Sequence, residues 1–243
     1  CECYVAGAWT LTSFDRARLG ELAPWARFSC DETSGTSLAD SVGGIGALTI
    51  SGTHSLSRAM GVGRGLSMSG GGGAQRTSAS VPTSTRKLAI AAWVQFTSSS
   101  GLQTIFARIG SWGSAYASIS IGTTSGVLRG YVACGGASTE AKTGATTLTT
   151  GVPHLVTIEW DGDASDRLTM TLDGSIEYAG TPSTGTADLV YALTSPVWQI
   201  GTNPSGESLS GVVREVHVYD GAVLTAAQRR ELYARGTGTY GGQ

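Results

Sequence analysis

Short stretches in which apolar and polar residues alternate recur along most of this chain. In "KLAIAAWVQF", residues 87–96, every second side chain is apolar and falls on one face, as in a β-strand. In "RLTMTLDGSIEYAG", residues 167–180, two such stretches flank Asp173-Gly174, a pair that favours a type I′ hairpin turn. These stretches follow each other at intervals of roughly 8 to 15 residues, with no helical pattern between them. The spacing predicts an all-β fold, an antiparallel β-sandwich.

The last patterned stretch is different. "GVVREVHVYDGAVLTAAQRRELY", residues 211–233, predicts a strand, a turn and a short amphipathic helix. Thr225 and Gln228 have the spacing of a capping box, Leu224 can pack on the first turn, and Gly236 is expected to end the helix. A helix this short needs support, so we expect its apolar side against the sandwich. Three basic residues are expected on its solvated side: Arg229, Arg230 and Arg235.

Charge and composition argue against two kinds of partner. Sixteen Lys and Arg nearly balance eighteen Asp and Glu, and no basic stripe of the kind that binds nucleic acid is visible. No apolar run approaches the ~18 residues that a membrane span needs, and the start lacks the pattern of a signal peptide. We therefore expect neither nucleic acid nor membrane as a partner.

Four stretches in order along the chain resemble a known superfamily. They are "ARFSCDETSGTSLADSVGGIGALTISG", "LAIAAWVQF", "PHLVTIEWDGD" with "LTMTLDGS", and "GVVREVHVYDGAVLTAAQRREL". Together they resemble the laminin G-like, concanavalin A-like jelly-roll superfamily. The resemblance implies an antiparallel β-sandwich jelly roll with one short C-terminal helix. It predicts a jelly-roll domain over residues 25–236. Residues 1–24, outside the resemblance, contain apolar side chains without a clear period, and we interpret them as an arm that packs on the domain or a partner. Residues 237–243 form a Gly-rich tail.

The resemblance also implies a metal site, because some relatives bind calcium through acidic loop residues. Asp31 and Asp40 lie in one polar loop, and the family pattern brings Glu215 near them, so these three are the candidate calcium ligands. Arg214 stands where the pattern has an acid, which weakens the candidate site. The alternative is that Asp31 and Asp40 make turn hydrogen bonds. We predict no other cofactor.

No pattern of catalytic residues is visible, and the chain is not expected to be an enzyme. Glycosidases need two carboxylates facing the same bond; Glu159, Asp161 and Asp163 come closest, but we interpret them as a solvated hairpin end. Trp112 and Tyr116, in the Gly- and Ser-rich stretch "GSWGSAY", are the candidate glycan contacts. The alternative is that these two aromatic residues cover the core.

The four cysteines lack the spacing of a zinc site. Three complete disulfide pairings of Cys1, Cys3, Cys30 and Cys134 stay open, as does a lipid on Cys1. The favoured interpretation is free thiols, with Cys30 and Cys134 as small buried apolar residues.

Two functional interpretations follow. The low share of charged residues, 14%, the many small residues and the apolar arm favour a non-catalytic structural or assembly module. Its most specific form is a virion surface component, a capsid decoration or tail-associated protein, which contacts other subunits through residues 1–24 and the C-terminal tail. The alternative is a glycan-binding, lectin-like adhesion module, with or without calcium. Either would act on a virion surface or outside the cell.

Overall fold

The computed structural model describes residues 3–5, 8–10, 23–77, 86–109, 119–133, 139–181, 188–189, 197–203 and 206–237. Within them the strands are β1 (Cys3–Val5), β2 (Ala8–Thr10), β3 (Ala26–Phe28), β4 (Ser37–Leu38), β5 (Leu48–Ser51), β6 (His54–Met60), β7 (Gly63–Met68), β8 (Gly73–Thr77), β9 (Lys87–Phe96), β10 (Leu102–Ile109), β11 (Ile119–Thr124), β12 (Val127–Ala133), β13 (Thr139–Thr147), β14 (Pro153–Asp161), β15 (Leu168–Leu172), β16 (Ser175–Gly180), β17 (Val197–Ile200) and β18 (Gly211–Asp220). The helix is α1 (Ala226–Thr237). No helix in these ranges combines the length and hydrophobicity needed to cross a bilayer.

Two large sheets form the body of the protein. The back sheet has the order β16-β15-β14-β9-β18-β7-β6, with β3 added beside β18, and the front sheet has the order β13-β12-β11-β10-β17-β8-β5-β4. Every strand pairing in the described ranges is antiparallel, and β1 and β2 form a separate two-stranded sheet. The predicted antiparallel β-sandwich jelly roll with one C-terminal helix is confirmed.

The core lies between the two sheets and follows from the alternation in the sequence. Strand β14 of the back sheet points Val156, Ile158 and Trp160 into the core, where they are fully buried. Trp198 of β17 is buried in the same core from the opposite sheet. Each such side chain stabilises the fold by about 1.5–3 kcal/mol. The predicted hairpin turn is also confirmed, since Asp173 and Gly174 both have the positive φ of a type I′ turn.

One pair of sheet edges is held together by a single carboxylate. Glu177 of β16, in the back sheet, accepts hydrogen bonds from the backbone N–H groups of Ala145 (3.0 Å) and Thr146 (2.8 Å), near the end of β13 in the front sheet. The Thr146 hydroxyl donates a third, at 2.7 Å. The sandwich is therefore closed along this side, where unpaired strand edges would otherwise invite aggregation.

Helix α1 covers the outer face of the back sheet. Trp93 of β9, 3% exposed, stacks on Tyr233 of the helix with ring centroids 5.6 Å apart. The capping box is confirmed, because the Gln228 amide oxygen accepts from the Thr225 N–H and the Thr225 hydroxyl accepts from the Gln228 N–H. Leu224 is buried beneath the first turn, as predicted.

The expected solvated positions of Arg229 and Glu159 are wrong. Glu159 of β14 is 3% exposed and bonds the Arg229 guanidinium at 2.9 Å, the Thr157 hydroxyl at 3.1 Å and the Leu224 N–H at 3.0 Å. Burial raises the pKa of the Glu159 carboxyl, and the charge of Arg229 opposes that rise. The sequence does not predict this burial because it arises from a tertiary contact: the helix docks on the sheet and removes both side chains from water.

Strand β18 is paired in an unusual way. Along one side it pairs with β9, with a shift in register between Arg214 and His217. Along the other side it pairs first with β7, through residues 211–213, and then with β3, through residues 216–218. Glu215, between the two, has a φ of 51°. This bulge places Arg214 and His217 on the outer face while Val213 and Val216 stay in the core.

Candidate functional site

The outer face of the front sheet is lined by small and polar side chains. Ile119 and Ile121 of β11 point into the core, so the residues that alternate with them point outward. Partner residues on neighbouring antiparallel strands share a face. One outward row is Thr104, Gly122 and Arg129. The next row is Gln199, Ala107, Ser120 and Tyr131.

A loop between β17 and β18 brings a carboxylate to this face. Oε2 of Glu207 accepts hydrogen bonds from the side chains of Asn203 (2.8 Å) and Thr104 (3.2 Å). The backbone N–H of Glu207 donates in turn to the Asn203 side chain at 3.1 Å. Thr104 is 2% and Asn203 4% exposed, so this side of the carboxylate is fixed in a nearly dry setting.

Arg129 reaches Glu207 across β11. Its Nη1 lies 3.3 Å from Oε1 and 3.5 Å from Oε2 of Glu207. The residue between them in the row is Gly122, where an added Cβ would lie 2.0 Å from the Gln103 carbonyl oxygen. Since that position cannot carry a side chain, the guanidinium can cross the strand. The Arg129 Cζ also lies 5.6 Å from the centroid of the Tyr131 ring.

We call Thr104, Arg129, Tyr131, Asn203 and Glu207 the front-sheet cluster. The side chains of Arg129 and Glu207 are 17% and 13% exposed. Among the described residues, Nε and Nη2 of Arg129 have no hydrogen-bond acceptor, and Oε1 of Glu207 accepts only from Arg129. The cluster therefore offers donors and an acceptor side by side, next to an aromatic ring.

The candidate calcium ligand Asp40 is occupied by backbone donors. Its carboxylate accepts hydrogen bonds from four N–H groups, at 2.8–3.1 Å, which belong to Arg27, Val42, Ile45 and Gly46. Burial raises the pKa of the Asp40 carboxyl, but these backbone donors outweigh it and the pKa is lowered. This is the turn-bonding role that the sequence left open. Asp31 accepts a hydrogen bond from the Ser29 hydroxyl at 2.6 Å.

The third candidate ligand, Glu215, is surrounded by basic side chains. Its Oε2 accepts from the Arg27 guanidinium at 3.0 Å and lies 3.3 Å from His217 Nε2, while Arg214 is 3.5 Å from Oε1. Burial alone would raise the pKa of Glu215, but the hydrogen bond with His217 and the charges of Arg27 and His217 lower it to about 2.

Arg27 lies between Asp40 and Glu215, bonded to both, yet this arrangement does not fit a calcium site. Calcium takes six to eight oxygen ligands. Both oxygens of Asp40 and Oε2 of Glu215 already accept hydrogen bonds, and Oε1 of Glu215 is paired with Arg214. In the described part of the chain, no three His, Cys, Asp or Glu side chains could hold a metal ion together. Calcium binding stays a prediction.

Several other predicted residues lie outside the described residues. These are the glycan candidates Trp112 and Tyr116, together with Cys1 and Cys134 and the side chain of Cys3. Cys30 is a buried free thiol, as predicted, and burial raises its pKa.

The front-sheet cluster was missed by sequence reasoning. Its only sequence signal is the outward phase of Arg129 and Tyr131 in "VLRGYVA".

Known structures share this fold. Domain 4 of AbnA, a GH43 extracellular arabinanase from Geobacillus stearothermophilus solved with arabinotriose, is 19% identical over 88% of this chain and 99% of its own, with a TM-score of 0.66. The botulinum neurotoxin serotype D binding domain is 12% identical over 86% of this chain and 50% of its own, with a TM-score of 0.62. The heptameric SAP-like pentraxin from Limulus polyphemus is 18% identical over 65% and 74%, with a TM-score of 0.50. At these identities the likeness shows the fold alone.

A comparison with curated proteins gives no match. The family model described as the concanavalin A-like lectin/glucanases superfamily, of the laminin G type, matches residues 69–228. That range runs from the turn before β8 into the first turn of α1, and it includes most strands of both sheets. The chain therefore belongs to the concanavalin A-like lectin/glucanases superfamily.

Proposed function

We propose that this domain is a non-catalytic glycan-binding module and that the front-sheet cluster contacts the sugar. One observation carries the proposal. Among the described residues, Nε and Nη2 of Arg129 have no acceptor, and Oε1 of Glu207 accepts only from Arg129. The Arg129 guanidinium also lies over the ring of Tyr131. The helix covers the outer face of the other sheet, so it does not compete for this surface.

The chemistry of the cluster suits a sugar. Hydroxyl groups both donate and accept, so they pair well with a guanidinium and a carboxylate placed together. The apolar face of a sugar ring pairs with an aromatic side chain, and the aromatic residue of the cluster is Tyr131, which is half-buried. Thr104 and Asn203 fix Glu207 in place, which lowers the entropy lost when a ligand binds.

Solved neighbours support the proposal by analogy of fold. AbnA domain 4 was solved in complex with arabinotriose, and the structure of the type C botulinum neurotoxin domain concerns interaction with two ganglioside molecules. The non-catalytic part is supported by the use of Glu159, whose two oxygens bond Arg229, Thr157 and Leu224 inside the fold. A glycosidase carboxylate must instead face the scissile bond.

A glycan array followed by calorimetry tests the proposal. We expect Tyr131→Ala and Arg129→Ala each to lower the affinity for the bound glycan about 10-fold or more, as hydrogen bonds to charged groups and ring contacts do. Trp112→Ala tests the loop prediction in the same assay, and a chelator tests calcium dependence. Arg58→Ala, at an exposed position of β6 on the other sheet, is the matched control. Equal, flat signals for all glycans would refute the proposal, and release of reducing sugar would refute its non-catalytic part.

A second candidate is the assembly role, in its specific form a virion surface component. The observation that favours it is the separate hairpin of β1 and β2, which pairs with neither large sheet. A two-stranded hairpin is marginally stable alone and needs a surface to pack on. Light scattering of the whole chain and of a form lacking residues 1–24 distinguishes assembly through the arm from a monomeric protein. If each form has the mass of its own monomer at every concentration, assembly through the arm is refuted.

A further inference from the structure

We infer that the front-sheet cluster selects neutral sugars with two adjacent hydroxyl groups over acidic sugars, and that Glu207 is the residue that sets this selection. The inference rests on the proposed glycan-binding function and adds the class of ligand. It follows from which atoms of the Arg129–Glu207 pair are already used and which are left.

The two oxygens of Glu207 are unequal. Oε2 accepts from Asn203, Thr104 and Arg129, whereas Oε1 accepts only from Arg129 among the described residues. A carboxylate oxygen has room for more than one donor. Oε1 is therefore the open acceptor of the cluster, and only a group that carries a proton can use it.

Arg129 is used in a complementary way. Only Nη1 contacts Glu207, at 3.3 and 3.5 Å, so the pair lacks the two parallel bonds of a full guanidinium–carboxylate pair. Nε and Nη2 keep their donors. A sugar hydroxyl that donates to Oε1 of Glu207 and a neighbouring hydroxyl that accepts from Arg129 would engage both charges at once.

A sugar that presents a carboxylate to the Arg129–Glu207 pair cannot make both contacts. A carboxylate has no proton for Oε1, so it would lie against a like charge, and the single positive charge of Arg129 is already shared with Glu207. The other three members of the cluster, Thr104, Tyr131 and Asn203, are uncharged. The cluster therefore has no surplus positive charge with which to hold an anion.

The test measures affinities of the whole chain for neutral arabino-, xylo-, manno- and gluco-oligosaccharides and for uronic acid oligosaccharides of matched length. We expect at least one neutral oligosaccharide to bind about 10-fold more tightly than its acidic counterpart, and its deoxy analogue, without one of the adjacent hydroxyls, to bind about 10-fold more weakly. Glu207→Gln should lower the affinity for the neutral ligand and narrow the neutral-to-acidic ratio. Arg58→Ala should leave both unchanged.

The outcomes distinguish the selection of neutral sugars from glycan binding itself. Equal or tighter binding of the acidic ligands, or an unchanged ratio in Glu207→Gln, overturns the inference and leaves glycan binding standing. No binding to any oligosaccharide overturns both. Because Glu207 also bonds Asn203 and Thr104, thermal unfolding checks that the Glu207→Gln variant folds.

Arg129→Lys gives a second test. Lysine keeps the charge but lacks the spare guanidinium nitrogens, so this variant should weaken binding of the diol ligand more than of the deoxy analogue.

Discussion

Replacing Glu215 with glutamine should remove one acid-sensitive contribution to stability. In the folded protein the Glu215 carboxylate accepts from Arg27 at 3.0 Å and lies 3.3 Å from His217, and its pKa is about 2. In the unfolded chain these fixed contacts are lost, and the pKa of Glu215 returns to its ordinary value of 4.5. The folded state therefore holds the proton less tightly than the unfolded state.

The size and sign of the effect follow from that difference. A pKa lowered from 4.5 to about 2 corresponds to about 3 kcal/mol of stabilisation. Because the pKa is lower in the folded state, this stabilisation is fully present above the unfolded value. It is lost as the pH falls from about 5 toward 2. Glutamine does not titrate, so the variant has no such term.

Urea unfolding, followed by tryptophan fluorescence at several values between about pH 6 and pH 2, measures the effect. Between these limits the wild type should lose about 3 kcal/mol more than Glu215→Gln. Asp166→Asn is the control, because Asp166 is exposed, and it should follow the wild type. Parallel curves for the wild type and Glu215→Gln would refute the account of this charge cluster.

Three other predictions concern stability, and urea unfolding near neutral pH measures each. Asp40→Ala leaves four backbone N–H groups without their acceptor and should cost about 2–4 kcal/mol, whereas a cost near zero would contradict the turn-bonding role. Arg229→Met leaves Glu159 buried without its cation and should cost about 3–5 kcal/mol, and adding Glu159→Leu should recover much of it. Gly130→Ala puts a Cβ 2.4 Å from the Met170 sulfur and should cost about 1–3 kcal/mol, because the two sheets cannot move apart freely.

The features that sequence reasoning predicted are those fixed by neighbours along the chain. The alternation of β9, the Asp173-Gly174 turn and the Thr225–Gln228 capping box depend on spacings of one to four residues. These local patterns predict the structure correctly because the tertiary contacts favour the same local conformations. The fold class followed from their number and order.

The features that were missed depend on contacts between distant residues. Glu159 meets Arg229 seventy positions away, and Glu207 meets Arg129 seventy-eight positions away. Nothing near Glu207 in the sequence marks it, because it lies in a loop without a periodic pattern. Charged residues are on average exposed, so the sequence places Glu159 and Arg229 in solvent, and it makes no prediction for Glu207 or Arg129.

Strand β18 pairs along one side first with β7 and then with β3, and this arrangement limits where the sequence can gain or lose residues. One added residue before Glu215 would rotate the rest of the strand by half a repeat, which would carry His217 into the core and Val216 and Val218 toward water. Changes of length during divergence should therefore fall in the connecting loops. The length of β18 should then stay constant while the loops that connect the strands differ in length.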